Sequence, residues 1–430
     1  MNNIISIIDK AVIFSVINKV WSVLSGILSI YFLTKYLNDN EMGYYYLISS
    51  ILGIQIIFEG GFSSALMTYY SKYRDISLYK NGELKKLLKY AKKWYINISA
   101  LFLLIVSVFG YLFISLKGIT GFWEYPWFLS VTLTSLSILF LPYITLLESL
   151  GHLGSIQGYK LNFAIIGSIS SWLLIANGFG IYSIACILLF SIFRDMLICI
   201  IYRNKLKIIL NSNHCEKKIF IFSELKVMKN KLAISNLSMY FGFNLFIPVI
   251  YYYYDSETAG KMGLTWSALT AIQGIGAAIL YTKYPLLVEL VHKKIYSQAK
   301  KEWFKISLFS TIIVLICLIV FNIIYLIMKF NNIYIIEKFT NLTTIFILII
   351  GILALQLINC LNIAIRSFGK ELLMNVNLIC NFITGLMIIL MGKNYSVIGI
   401  ATAFTSVILI ISLPWEIIIL KKLWRENVKV

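Results

Sequence analysis

A run of about twenty apolar residues can satisfy its backbone inside a lipid bilayer only as a helix, and this chain repeats such runs from one end to the other. They fall near 12–35, 43–69, 94–115, 127–149, 161–176 and 181–202, then again near 232–254, 262–282, 303–328, 341–365, 372–391 and 397–420. Each covers a hydrocarbon core of ~30 Å at ~1.5 Å per residue. The expected fold is therefore all-α and integral to the membrane, with twelve transmembrane helices. With 59% hydrophobic and 13% charged residues over 430 positions, a water-soluble globular fold is excluded. The first span begins after the single cation Lys10, is too long for a signal-peptide core and has no small-residue cleavage site after it, so it is expected to be retained.

The net charge of +19 reads as membrane orientation and not as nucleic-acid binding, because the basic residues lie between the apolar runs. Of the 38 Lys and Arg residues, thirty fall on the side that carries both termini and the basic loops 72–93, 203–231 and 283–305. Six fall on the other side, and two, Lys19 and Arg194, lie inside spans. That asymmetry predicts cytoplasmic N and C termini. The loops on the opposite side are all short, which leaves no room there for a folded catalytic module. Cys186, Cys199, Cys215, Cys317, Cys360 and Cys380 show no CxxC spacing, and His152, His214 and His292 are far apart, so neither disulfides nor a metal site are expected, and no cofactor.

Short matches recur at an offset near 219. Met42-Gly43 pairs with Met262-Gly263, Ser149 and Gly151 with Ser367 and Gly369, Asn162-Phe163 with Asn381-Phe382, and Gly180-Ile181 with Gly399-Ile400. Six spans per repeat put both halves in the same orientation, so the expectation is two parallel six-helix bundles: an N-terminal one over 1–210, a cytoplasmic linker over 211–231 and a C-terminal one over 232–430.

Charges inside spans need a partner, water or a function, since each costs at least ~2.5–3.5 kcal/mol at mid-membrane. Counted from their helix ends, Lys19 in the first span and Glu59 in the second reach the same depth. Three readings stay open: an ion pair that staples the helices, Lys19 facing an anionic substrate in a cavity with Glu59 carrying a proton, or Lys19 snorkelling to the cytoplasmic interface along its alkyl stem. Gly60 and Gly61 directly after Glu59 weaken the helix, either as a hinge or for close packing. Arg194 and Asp195 are neighbours, about 100° apart on a helix, and are expected to face different surroundings. Asn359 and Asn362 share a face, as do Asn377 and Asn381, and offer a polar stripe into the C-terminal bundle; interhelical hydrogen bonds are the alternative for these and for Gln356, Asn375, Asn236 and Asn244. Aromatic clusters at Tyr44 to Tyr46, Trp123, Tyr125 and Trp127, and Tyr251 to Tyr254 read as an interfacial belt or as a stacking platform for sugar rings.

The run Tyr36-Leu37-Asn38-Asp39-Asn40-Glu41-Met42-Gly43-Tyr44, then Phe58-Glu59-Gly60-Gly61-Phe62 and a basic loop, together with Gly369-Lys370 and Ile398-Gly399-Ile400-Ala401, resembles the O-antigen and capsule-unit flippases of the multidrug/oligosaccharidyl-lipid/polysaccharide exporter superfamily. The resemblance spans essentially the whole chain; many members carry Asp where this chain has Glu59. It implies a bacterial plasma (inner) membrane protein with a MATE-like fold around a central cavity. It implies alternating access for a polyprenyl-pyrophosphate-linked polysaccharide repeat unit, with no bond made or broken and hence no enzyme. The partners implied are the lipid-linked oligosaccharide, the bilayer, H+ or Na+, and other polysaccharide-assembly membrane proteins, with no nucleic acid. Lys19, Arg194, Asn359 and Asn362 are the expected cavity residues, and Glu59 the expected coupling-ion or proton carrier. A multidrug exporter of the same superfamily would favour acidic residues in the spans, and a peptidoglycan-precursor flippase often carries extra helices; both remain alternatives.

Overall fold

The computed structural model describes residues 2–73, 82–117, 122–211, 221–369 and 372–428. His214, Cys215 and Lys370, and with them residues 212–220 of the expected linker and part of the first basic loop, lie outside the described residues. Among those described there is no strand. The helices run α1 (Asn2–Tyr36), α2 (Asp39–Leu52), α3 (Gln55–Glu59), α4 (Phe62–Tyr70), α5 (Glu83–Ser115), α6 (Glu124–Leu147), α7 (Leu153–Ala176), α8 (Tyr182–Ile201) and α9 (Arg203–Asn211). They continue as α10 (Ile221–Phe243), α11 (Phe246–Tyr253), α12 (Ser256–His292), α13 (Tyr296–Phe330), α14 (Leu342–Ser367), α15 (Leu373–Val407) and α16 (Leu413–Val428).

Eight continuous helical stretches among the described residues are long and apolar enough to cross a membrane, and two bent pairs raise the number to ten. Two of the eight, Glu124–Ala176 and Leu373–Glu426, run to 53 and 54 residues, or about 80 Å at helical rise, more than twice the hydrocarbon core. Each contains one residue with non-helical backbone, Gly151 at φ 95° and Ser396 at φ 53°, ψ −139°. The chain folds back at both points, since α8, 20 residues long, packs against both α6 and α7, and α14 packs against both α15 and α16. Divided there, the two stretches become four crossings, which with each bent pair taken as one span makes twelve among the described residues. The chain is a multi-pass membrane protein. Its exterior carries large exposed side chains such as Leu104, Phe109, Phe304 and Ile410, the surface that lipid requires.

The chain forms two compact units. The first comprises Met1–Trp21 and Ile48–Tyr240, the second Ser22–Leu47 and Phe241–Val430. The boundary thus passes through α1 and α10, and α2 begins in the second unit. In the first unit α5 packs against α6, and α8 against both α6 and α7. Trp127 fills the notch left by Gly110, where an added Cβ would lie 2.1 Å from the indole, and its Nε1 donates to the Ser107 carbonyl. In the second unit Phe246, Trp266 and Phe404 meet with ring centroids 4.6–5.4 Å apart.

The start of α2 explains why it belongs there. Asn38 and Glu41 cap the helix reciprocally, Glu41 N–H donating to Asn38 Oδ1 at 2.8 Å and Asn38 N–H to Glu41 Oε2 at 3.1 Å. Gly43 then lies so close to α12 that a Cβ would meet the Ser256 carbonyl at 2.0 Å, while one on Gly260 would meet the Gly43 amide at 2.8 Å and one on Gly263 the ring of Tyr46 at 2.4 Å. Ser256 donates to Asn40 at 2.6 Å. The repeated Met-Gly pair therefore marks two helices that cross against each other.

Candidate functional site

The Phe58-Glu59-Gly60-Gly61-Phe62 segment is where the second span breaks. Gly60 and Gly61 both take left-handed backbone, φ 55° and 65°, ending α3 and starting α4 with a bend of 46°. The close-packing role expected of the glycines is present, because the bend also admits α10. A Cβ on Gly61 would lie 2.8 Å from Leu232 Cβ and 3.2 Å from Asn236 Nδ2, and one on Gly60 3.1 Å from Ala233 Cβ. Glu59 is half-buried beside the break and accepts from the Ser63 hydroxyl one turn on. Tyr95 of α5, fully buried, lies beside Ser63 and within electrostatic reach of Glu59. The ring of Phe62 packs on Trp94 at 4.5 Å and on Tyr95 at 5.6 Å, and the Lys229 amine of α10 stands 5.2 Å from the Trp94 ring centroid. The site thus joins a carboxylate, hydroxyls and an aromatic wall with a cation at a helix break.

Lys19 is exposed and makes no ion pair among the described residues, and the five pairs present do not join it to Glu59. The neighbouring Asn18 anchors this stretch of α1 to α7, donating to the Gln157 carbonyl at 2.9 Å and Oε1 at 3.2 Å. Arg194 requires a correction. Its guanidinium grips Asp195 with two bonds, Nε to Oδ1 at 2.7 Å and a second nitrogen to Oδ2 at 3.0 Å, with the side chains 20% and 5% exposed. The 100° step between adjacent positions separates Cα–Cβ bonds, but the long arginine stem curls back across it.

Asn359 and Asn362 are half-buried on α14, and Asn362 Oδ1 is enclosed without a hydrogen-bond partner among the described residues. Gln356 belongs to interhelical bonding instead: its Nε2 donates to Ser310 Oγ at 2.6 Å, and Ser310 donates to the Gly276 carbonyl at 2.9 Å, tying α14, α13 and α12. The aromatic belt is corrected at several positions. Tyr44, Trp123, Trp127 and Tyr251 are entirely buried in protein, and Tyr44 and Tyr251 meet edge to face at 5.9 Å; Tyr125, by contrast, is 76% exposed.

Sequence reasoning did not single out two further carboxylates within the apolar stretches. Glu148 binds Lys160 at 2.6 Å across the Gly151 fold-back. Glu416 on α16 is fully buried, and neither of its oxygens accepts a hydrogen bond among the described residues. The signal for Glu416 was present as an acidic residue inside the last apolar run. Lys229, Trp94 and Tyr95 carried no such signal, because only the packing of α5 and α10 against the break assembles them.

No protein-family model matches the sequence, and no curated protein matches it. Solved structures do. An inward-facing multidrug-resistance MATE family transporter of the MOP superfamily aligns with 95% of this chain and 96% of its own at a TM-score of 0.69 and 11% identity. The lipid II flippase MurJ in an inward closed conformation aligns with 97% and 90% at 0.64 and 16% identity. A MOP-superfamily transporter from Pyrococcus furiosus, described as having reverse polarity of its binding pocket, aligns with 98% and 95% at 0.57 and 13% identity. At such identities the likeness is one of fold: this all-helical chain is MATE-like in architecture.

Proposed function

We propose that this protein is a flippase that moves a polyprenyl-pyrophosphate-linked polysaccharide repeat unit, of O-antigen or capsule type, from the cytoplasmic to the outer leaflet of a bacterial inner membrane by alternating access. The observation that carries the reading is Lys19, an ammonium within a spanning helix that is exposed and has no ion-pair partner among the described residues. Holding a cation in such a place is costly unless an anion visits it, and a pyrophosphate is such an anion. In this reading the sugar head group crosses through polar side chains, with Asn359 and Asn362 contributing hydroxyl contacts, while the polyprenyl tail stays in lipid. Arg194 keeps a lesser part, because Asp195 already holds it. Glu59, next to a helix break, is the coupling-site candidate for H+ or Na+. Termini in the cytoplasm, a linker over 211–231 between halves at 1–210 and 232–430, and other polysaccharide-assembly membrane proteins as partners complete the proposal.

The test is deletion of the gene in its host, followed by measurement of surface polysaccharide and of lipid-linked repeat units on the cytoplasmic face. The expected result is loss of the first and accumulation of the second, both reversed by the wild-type gene but not by Lys19→Ala or Glu59→Gln at equal expression. Unchanged polysaccharide with raised drug sensitivity would replace the flippase by a multidrug exporter. Arrested cell-wall synthesis would point to a peptidoglycan-precursor lipid.

A further inference from the structure

A cavity of about 1030 Å³ lies at one end of the second unit, where the start of α12, the end of α13, the start of α14 and the turn at Ser396 converge. That volume stands at the upper end of the range for small-molecule sites. The Ser396 turn that closes one wall holds a non-glycine residue at φ 53°, the kind of constrained backbone that the surrounding fold must enforce. From this geometry we infer a saccharide-binding site, one that takes an uncharged oligosaccharide.

The lining has the chemistry that a sugar needs. Every sugar hydroxyl both donates and accepts, so its site must mix the two capacities; here Lys329 and Asn341 donate, and Glu337 and the hydroxyl of Thr258 accept. Asn341 makes no side-chain cap bond to α14, so its amide and the first backbone N–H groups of that helix are available to a ligand. Pyranose rings also present apolar faces that stack on aromatic rings. Tyr395, 64% exposed, supplies such a face at the rim, and Tyr325 lies within, its hydroxyl held by the Thr340 carbonyl. The charges nearly cancel by count: Lys261 is held by Glu257 at 2.7 Å and feels Glu337, whose negative charge stands in the same lining as the positive Lys329. A net positive anion trap is thereby disfavoured.

By the distribution of cations in the loops this end faces outward, so the site would receive a glycan head group as it leaves the membrane. The identity of the glycan rests on the flippase reading; the existence of the site does not. The experiment uses the full chain in nanodiscs, with Thr343→Cys or, should that variant fold poorly, Leu342→Cys, both lining positions, labelled by a charged methanethiosulfonate reagent. The wild-type chain gives the background from native cysteines, and Lys393→Cys serves as a position outside the cavity. The probe is the neutral oligosaccharide released from the host's surface polysaccharide, with inorganic pyrophosphate as competitor.

Labelling in the cavity is expected to slow about fivefold at a saccharide concentration about four times its Kd, with Lys393→Cys unaffected and protection abolished by Tyr395→Ala. Protection by pyrophosphate alone, equal effects at both positions, or none at any concentration would overturn the inference. If export proves independent of this protein while the oligosaccharide still protects, the flippase reading falls and the site stands. If export depends on it but labelling is unprotected, the site alone falls.

Discussion

Replacing Gly61 with alanine asks the break in the second span to accept a single carbon, and the structure sets what that costs. Two contributions add. A residue with a Cβ at φ 65° meets the left-handed penalty of ~1–2 kcal/mol, and the new carbon would lie 2.8 Å from Leu232 Cβ, an overpacking that typically costs ~1–3 kcal/mol because α10 must move. The sum is a loss of about 2–5 kcal/mol. Two other glycines separate the parts. Gly178 at φ 85° has nothing within 4 Å of its virtual Cβ, so its alanine variant should carry the backbone penalty alone. Gly26 has neither a positive φ nor a neighbour within 4 Å, so alanine there should leave stability unchanged or raise it by up to ~1 kcal/mol. Membrane proteins rarely unfold reversibly, so the assay is the temperature at which half of the detergent-solubilised protein survives as a monodisperse species, at one heating rate for all variants. The expected order is Gly26→Ala highest, Gly178→Ala below wild type and Gly61→Ala lowest. Gly61→Ala melting together with Gly178→Ala would show that the approach of α10 is not tight, and the packing argument would be wrong.

Removing one partner of the Arg194–Asp195 pair leaves a poorly solvated charge, so Arg194→Leu should destabilise by about 3 kcal/mol and the Arg194→Leu/Asp195→Leu double variant by less than the sum of the singles; strict additivity in the same thermal assay would mean the two are not coupled. Lys338, 2% exposed between α13 and α14, donates to the Leu37 carbonyl that ends α1, and Lys338→Met should cost about 1–3 kcal/mol through that lost bond. Burial holds the Lys338 amine below the usual lysine range against the opposing pull of Asp39 and Glu41. Between that lowered value and the unfolded 10.5 the unfolded chain binds more protons, so wild-type stability should rise with pH across this window relative to Lys338→Met; a flat or falling difference as pH rises towards 10.5 would contradict the sign. Reporter fusions after residue 428 should be active only in the cytoplasmic sense, and activity in the external sense would invert the orientation drawn from the loop cations.

The sites divide by how local their causes are. Glu59 and the glycine pair were legible because a charge and two helix-weakening residues inside an apolar run are anomalies on a one-dimensional reading. The Arg194–Asp195 clasp was misread because helical angle describes where a side chain starts and not where a long one ends. The buried state of Trp123 and Trp127 was also hidden. Aromatic residues near a span end have the same composition whether they face the interface or a notch such as Gly110, and only the neighbouring helix distinguishes the two.

What the sequence determined by itself is the all-helical, membrane-spanning character of the chain, because lipid leaves the backbone no alternative and the apolar period is written residue by residue. The Gly151 and Gly369 match in the repeat even falls on two left-handed turns, φ 95° and 68°. Tertiary structure alone decided that Ser22–Leu47 belongs with the C-terminal helices, because that membership rests on contacts over more than two hundred positions: Gly43 against Ser256, Asn40 with Ser256, and Lys338 on Leu37. Each of these residues reads locally as an ordinary loop or helix position, and its meaning depends on a partner that no window of sequence contains.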